Sequence, residues 1–225
     1  MEKNSEAHLL DCGCREGEDT LLVADWAGTK YVTGLDYTLH VLTQANQRGI
    51  LSVCCDLNRA MPLKSNTYDA VYASNLIEHL VDPNLFIGEV YRVLRPGGYV
   101  LLDTPNLASW HNIFALLIGR QPFSGPNITN MEDGEVAIVR EIHRSDHGLP
   151  EKGALAEHGE QELTRHFVVI AYRSLLDLVR RWGFHIESAR GFGYYPFPPL
   201  LGRGLQRLDP AHAHHVCIKA IKPKA

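Results

Sequence analysis

Leu9-Leu10-Asp11-Cys12-Gly13-Cys14-Arg15-Glu16-Gly17 is the stretch on which the fold of this chain turns. An apolar run from His8 to Cys12 ends in a glycine-bearing turn, and Asp19 to Trp26 follows with helical spacing. A helix start offers unpaired N–H groups and the positive end of a dipole, and glycine lets a ligand come close to the backbone. That combination is what a nucleotide site is made from. The pattern here is D-x-G-x-x-x-G, not the dinucleotide fingerprint G-x-G-x-x-G. Glu18, Asp19 and Thr20 supply no third glycine behind Gly17, which weighs against a nicotinamide-dependent oxidoreductase. Taken alone, the turn fits an ordinary tight β-to-α connection equally well.

Working outward, short apolar runs alternate with helical patterns over the first hundred residues, which predicts βα units and a parallel sheet. After the helix at Asp19–Trp26, with Leu21, Leu22 and Val23 as its buried side, Tyr31–Leu35 reads as the second strand and ends at Asp36. Thr38–Arg48 reads as a helix stopped by Gly49, and Ile50–Cys54 as the third strand. Tyr68–Ala73 is the fourth. Asp82 caps a helix that begins at Pro83 and runs to about Leu94. Arg95-Pro96-Gly97-Gly98 then turns into a fifth strand, Tyr99–Asp103. The rhythm breaks at Thr104-Pro105-Asn106. A helix at Ser109–Ile118 precedes a polar stretch, Gly119 to about His166, rich in Gly, Pro and His. So long a segment reads as a lid with short helices or as disorder. A helix at Ala171–Trp182, with Leu175, Leu176, Leu178 and Val179 inward, and strands at Phe184–Arg190 and Val216–Ile221 complete the pattern.

The 225 residues suit one domain, 1–225, with residues 105–171 as an insertion or lid. A formal charge of -4 gives no global reason to bind nucleic acid or an anionic membrane. No window is apolar for long enough to span a bilayer, and the polar Met1–His8 is no secretory signal, so insertion into a membrane is not expected and a cytoplasmic location is. The five cysteines read as reduced, buried thiols; Cys12/Cys14 and Cys54/Cys55 have no partner pair at zinc spacing.

Two acids give the glycine turn a meaning. Asp36 ends the second strand, where a carboxylate can accept hydrogen bonds from both ribose hydroxyls. Asp56 follows the third strand, within reach of an adenine amino group. Polar anchors at the carboxyl ends of three successive strands stand where an open α/β sheet places its ligand. Leu10-Asp11-Cys12-Gly13-Cys14, Gly34-Leu35-Asp36, Cys55-Asp56, Pro62, Tyr68-Asp69-Ala70-Val71, Ile77-Glu78-His79-Leu80 and Arg92-Val93-Leu94-Arg95-Pro96-Gly97-Gly98 occur in an order that resembles the class I S-adenosylmethionine-dependent methyltransferases, and the type 11 group most. The resemblance covers roughly Leu9 to Thr104.

That resemblance implies a Rossmann-like α/β fold: an open sheet of about seven strands ordered 3-2-1-4-5-7-6, the last antiparallel, with helices on both faces. It implies S-adenosyl-L-methionine as cofactor. Asp11, Gly13, Cys14 and Gly17 would lie along its methionine part and Asn75 near its methionine end. Asp36 and Tyr37 would hold the ribose side, and Asp56 with Leu57 would frame the adenine. Two departures stand out. Arg15 occupies a place where the family usually has glycine; it could face outward, help neutralise the cofactor's carboxylate, or mark an altered site. Little chain precedes the first strand, so either the chain is shortened or the Gly119–His166 segment supplies the cover over the cofactor.

The expected reaction is methyl transfer to a small-molecule acceptor, with a non-catalytic cofactor-binding protein of the same fold as the alternative. Transfer from a sulfonium needs in-line alignment and exclusion of water, and an oxygen or nitrogen acceptor often needs a base. His79, after the fourth strand, and His111 are the candidate bases. Glu78 and His79 read equally as loop pins. Some quinone-pathway O-methyltransferases that resemble this stretch bind a divalent metal with its acidic and histidine residues; Asn75 replaces one of those acids, so no metal is expected. His143, His147 and His166 read as further base candidates in or beside the lid or, more simply, as surface histidines, and His212, His214 and His215 as a solvated strand entry. The aromatic run Phe192, Tyr194, Tyr195 and Phe197 would either wall an acceptor pocket or pack the sheet edge.

Overall fold

The structure, a computed structural model, describes residues 3–125, 166–194, 204–205 and 207–224. Seven strands form one sheet in the order β3-β2-β1-β4-β5-β7-β6. They are β1 (His8–Cys12), β2 (Tyr31–Asp36), β3 (Leu51–Cys54), β4 (Tyr68–Ser74), β5 (Leu94–Pro105), β6 (His185–Phe192) and β7 (His215–Ile221). The first five pair in parallel, whereas β7 runs antiparallel to both β5 and β6. The strand order therefore reverses beside β1, so the carboxyl ends of β1, β2 and β4 open onto a common crevice. The five helices used below are α1 (Glu18–Ala27), α2 (Leu39–Gln47), α3 (Pro83–Val93), α4 (Trp110–Leu117) and α5 (Tyr172–Arg181).

Alternation along each strand divides its side chains between two apolar clusters. Leu10, Cys12, Leu35 and Val71 face α3 and α5 through Phe86, Ile87, Val90, Leu175 and Val179. Leu9, Val32 and Ala70 face α1 and α2 through Val23, Ala24 and Ala45. The sheet is thus covered on both faces, as parallel strands require. Asp82 caps α3, accepting from the Leu85 N–H at 2.9 Å, with Pro83 as the first helical residue. α1 departs from its expected orientation. Thr20, Val23, Ala24 and Ala27 are its buried residues, while Leu22 is 59% exposed. Successive residues on a helix lie about 100° apart, so three in a row cannot share one face.

The proposed lid, residues 105–171, falls largely outside the described residues, as do His143, His147, Tyr195 and Phe197. Its described flank is tied together by Asn106. The Asn106 amide donates to the carbonyls of Ala211 and Ala213, both at 2.8 Å, and its side-chain oxygen accepts from the N–H groups of Ala108 and Tyr172. Among the described residues no helix is long and apolar enough to cross a membrane.

Candidate functional site

The turn after β1 is held by β2. The N–H groups of Gly13 and Cys14 both donate to the Leu35 carbonyl, at 2.7 and 3.0 Å. Gly13 and Gly17 adopt φ of 82° and 86°, which glycine takes without a side-chain clash. Arg15 takes φ of 49° without being glycine. Its N–H donates to the Asp36 carboxylate at 3.1 Å, while the side chain is 77% exposed and points toward Glu16. Of the readings open to Arg15, the outward one is observed.

Asp36 accepts from Arg15 with one oxygen and from the Thr38 N–H, at 2.8 Å, with the other. A carboxylate has about four acceptor positions. Both oxygens of Asp36 thus keep capacity, and the group is oriented rather than saturated. Tyr37 is exposed beside it, and Asp56, also exposed, accepts from the backbone and side chain of Asn58 at 2.9 and 3.1 Å. From the other side of the crevice, Asn75 adopts φ of 45°, its N–H held by the Asp103 carbonyl at 3.0 Å. The neighbouring Leu76 lies against Gly13, where an added Cβ would meet its Cδ1 at 3.3 Å. Gly13, Asp36, Tyr37, Asp56 and Asn75 thus stand at the carboxyl ends of β1 to β4, whereas Gly17 is buried against Ile50 and Ala45 of the neighbouring βα unit.

Three expected contact residues turn inward instead. Asp11 is 3% exposed, and its carboxyl accepts a 2.5 Å hydrogen bond from Thr20 of α1. It belongs beneath the turn because β1 alternation aims it at α1. Burial pushes it up to about 7, despite the Thr20 bond that favours ionisation. Cys14 packs under the sheet-side surface of Gly34, where an added Cβ would meet its Sγ at 2.5 Å, and burial pushes its thiol up to about 12. Leu57 lies in the larger apolar cluster with Leu10 and Cys12. These residues shape the site from below.

The second part of the site stands at the ends of β4 and β5. Ile77–His79 forms a single 3-10 turn. Glu78 is 1% exposed, with one carboxyl oxygen accepting from the Thr104 hydroxyl at 2.8 Å and the other 4.0 Å from His79 Nε2. Burial pushes Glu78 up to about 7. His166, expected at the surface, instead stacks edge-on against His79, ring centroids 5.0 Å apart. Its Nδ1 lies 3.1 Å from the Ser124 carbonyl, and the N–H groups of Phe167 and Val168 donate to the Glu78 carbonyl. Burial lowers the His166 pKa.

His111 lies on the other side of Ser124, Nε2 to Oγ 3.3 Å, with its ring edge-on to His214 at 4.6 Å. His214 is buried at 4% exposure, not solvated. The reason is that Phe123, α4 and the start of β7 close around this strand entry. Of the aromatic run, Tyr194 is buried with its hydroxyl donating to the Asp209 carbonyl at 2.6 Å, so it packs the edge; Phe192 is exposed. Nothing local marks His166, Thr104, Ser124 or Asn106 in the chain, since each acquires its partners from distant segments.

The strand order, the reversal beside β1 and the oriented acid at the end of β2 define a class I, Rossmann-like methyltransferase fold. Residues 10–102 match the model of the methyltransferase domain family. Over 99 residues it is 39% identical to a probable S-adenosylmethionine-dependent methyltransferase of Mycolicibacterium smegmatis, covering 44% of this chain and 38% of that protein. Over 101 residues it is 36% identical to the ubiquinone/menaquinone biosynthesis C-methyltransferase UbiE of Desulfotalea psychrophila, covering 43% and 41%. The chain thus aligns with well under half the length of these curated relatives. A solved S-adenosylmethionine-dependent methyltransferase from Mesorhizobium loti shares the fold with a TM-score of 0.60 at 19% identity, covering 98% of this chain and 93% of that one.

Proposed function

We propose that this chain transfers the methyl group of S-adenosylmethionine to a small-molecule acceptor. The observation that carries this reading is the Asp36 carboxylate, fixed by the Arg15 and Thr38 N–H groups at the mouth of β2 with acceptor capacity to spare. Ribose hydroxyls are the donors such a group takes at this place in an open sheet. The methionine part of the cofactor then runs over Gly13, whose missing side chain leaves the space between the turn and Leu76. Tyr37 and Asp56 serve the adenine side. Asn75 and the Glu78–His79 turn face the methyl end from β4, and His79 or His111 takes a proton from an acceptor that must lose one.

Calorimetry with S-adenosylmethionine and its demethylated product tests this. The intact chain should bind both with Kd of about 1 μM, near −8 kcal/mol. Asp36→Ala should weaken both by at least about 100-fold, because two hydrogen bonds to a charged acceptor are lost at about 1.5–3 kcal/mol each. If the folded, intact chain bound neither ligand, the reading would be lost.

A further inference from the structure

At the end of the sheet opposite Asp36, where β4 and β5 begin and β7 ends, a cavity of about 410 Å³ opens between α3 and Trp182, the residue that follows α5. We propose that this cavity is a second binding site, for a small carboxylate with a flat apolar body, such as an aromatic acid. It shares no residue with the Asp36 side, and the proposal does not depend on methyl transfer.

The first support is the wall. Gly88 stands inside α3, a place where glycine is unfavourable for the helix itself. The Trp182 indole lies where its side chain would be, since an added Cβ would meet Cζ2 and Cη2 at 2.6 Å. The indole is also pinned by its Nε1, which donates to the Asn84 side-chain oxygen at 3.0 Å. One wall is therefore a flat aromatic surface set in place before any ligand arrives. Leu85 and the Tyr91 ring continue the apolar lining, and Phe184 braces Tyr91 edge-on, ring centroids 5.0 Å apart. Flat apolar walls suit a flat apolar body.

The second support is charge. β7 runs antiparallel to β5 and returns Lys222 to the start of that strand, where its N–H donates to the Gly98 carbonyl. The buried Lys222 ammonium donates to the Asn66 side-chain oxygen and to the carbonyls of Tyr91 and Leu94, at 2.8, 2.8 and 2.7 Å. Its three donors thus meet uncharged oxygens, none of them a carboxylate. Burial alone lowers its pKa. Arg92, the other cation of the lining, is neutralised by Glu89, which accepts from its Nε and Nη2 at 2.7 Å each. Two cations and one carboxylate leave one positive charge beneath the cavity, in a setting of low dielectric.

The third support is the kind of hydrogen bond on offer. Glu89 is turned to Arg92 and to the Met61 N–H at 2.6 Å. Lys222 takes the oxygen of the Asn66 amide and leaves its NH2 group to donate. The Ser65 oxygen accepts from Arg92, which leaves the hydroxyl hydrogen to give. Both residues are exposed at the rim. A carboxylate accepting from Asn66 there would lie over the Lys222 charge without displacing any bond that holds the lysine. Apolar walls with a few convergent polar groups are the usual composition of a small-molecule site.

The test is an NMR titration of the full chain with sodium benzoate, read at the Trp182 indole N–H and the Gly88 amide. Both signals should shift saturably with a Kd of about 1 mM. Benzyl alcohol keeps the ring without the charge, and acetate keeps the charge without the ring. Each should bind at least about tenfold more weakly. Asn66→Asp sets a carboxylate against the Lys222 ammonium at φ of 52°, a conformation aspartate tolerates, and should weaken benzoate at least about tenfold. Gly88→Ala drives the indole from its place and should abolish the response. Benzoate that shifts neither signal, that binds no more tightly than benzyl alcohol, or that binds the Asn66→Asp chain as well as the parent overturns the proposal. Far-UV circular dichroism shows whether each variant is folded; if one is not, the three probes on the parent chain decide alone. None of these outcomes bears on S-adenosylmethionine binding at the other end of the sheet.

Discussion

Asp11 and Glu78 are the same device placed in two different halves of the sheet. Each is a carboxyl group all but removed from solvent, each accepts from a threonine hydroxyl, and burial pushes each to about 7. Their surroundings differ. Asp11 is completed by Thr20, a near neighbour in sequence, and supports a turn whose parts all lie within β1, α1 and β2. Glu78 is completed by Thr104 and by His166, which arrive from β5 and from beyond the 126–165 segment. The β1 turn is therefore local in construction, and the Glu78 turn is an assembly of distant pieces. Short-range architecture can be read from motifs, whereas long-range architecture has to be seen.

The largest test of this parallel is pH dependence of unfolding. Each carboxyl has a folded pKa near 7 against ordinary values of 3.8 and 4.5, so the folded state holds protons that the unfolded state releases. The associated stability is full below about pH 4 and is lost as the pH rises to about 7. Asp19 and Asp36 reinforce the shift at Asp11, and Asp103 does so at Glu78. In urea titrations Asp11→Asn and Glu78→Gln should each flatten this decline, by about 4 and about 3 kcal/mol respectively. A slope unchanged in one variant would show that the two acids are not equivalent.

Next in size is the packing beneath the cofactor turn. Gly34→Ala would place a Cβ 2.5 Å from Cys14 Sγ and 3.0 Å from Cys14 Cβ. It should cost about 1–3 kcal/mol, seen as a lowered thermal midpoint, and Cys14→Ala in the same chain should recover part of that loss. Asp82→Ala removes the α3 cap and should cost about 1 kcal/mol in urea unfolding. The smallest effect is expected at Arg15→Gly. Relief of a left-handed residue, about 1–2 kcal/mol, is largely offset by about 0.5–1 kcal/mol of added backbone entropy. Because the side chain faces outward, cofactor affinity by calorimetry should stay within about twofold, or roughly 0.4 kcal/mol. A large gain would mean that Arg15 obstructs the site.

These halves also divide what was legible from the chain. The seven strands, and the places of Gly13, Asp36 and Asn75 at strand ends, followed from apolar periodicity, glycine placement and acids at strand ends. The inward aim of the Asp11, Cys14 and Leu57 side chains was not legible, because a motif marks a neighbourhood without saying which way each side chain alternates. Leu21 and Leu22 were misread on the same footing, since apolar identity was given more weight than helical angle. His166 and His214 were noticed in the chain, but their burial was not legible. Their burial comes from Ser124, His79 and His111, contacts made by a chain that folds back over more than 40 residues.

The two hydrogen bonds from Phe167 and Val168 to the Glu78 carbonyl also order events during synthesis. A ribosome adding about 5–20 residues per second completes the turn, Asp36 and the fourth strand well before His166 emerges. For several seconds the nascent chain carries the glycine turn and Asp36 together with a Glu78 turn that still lacks its second histidine. The molecule makes the residues of its locally built half before those that complete the half assembled over distance.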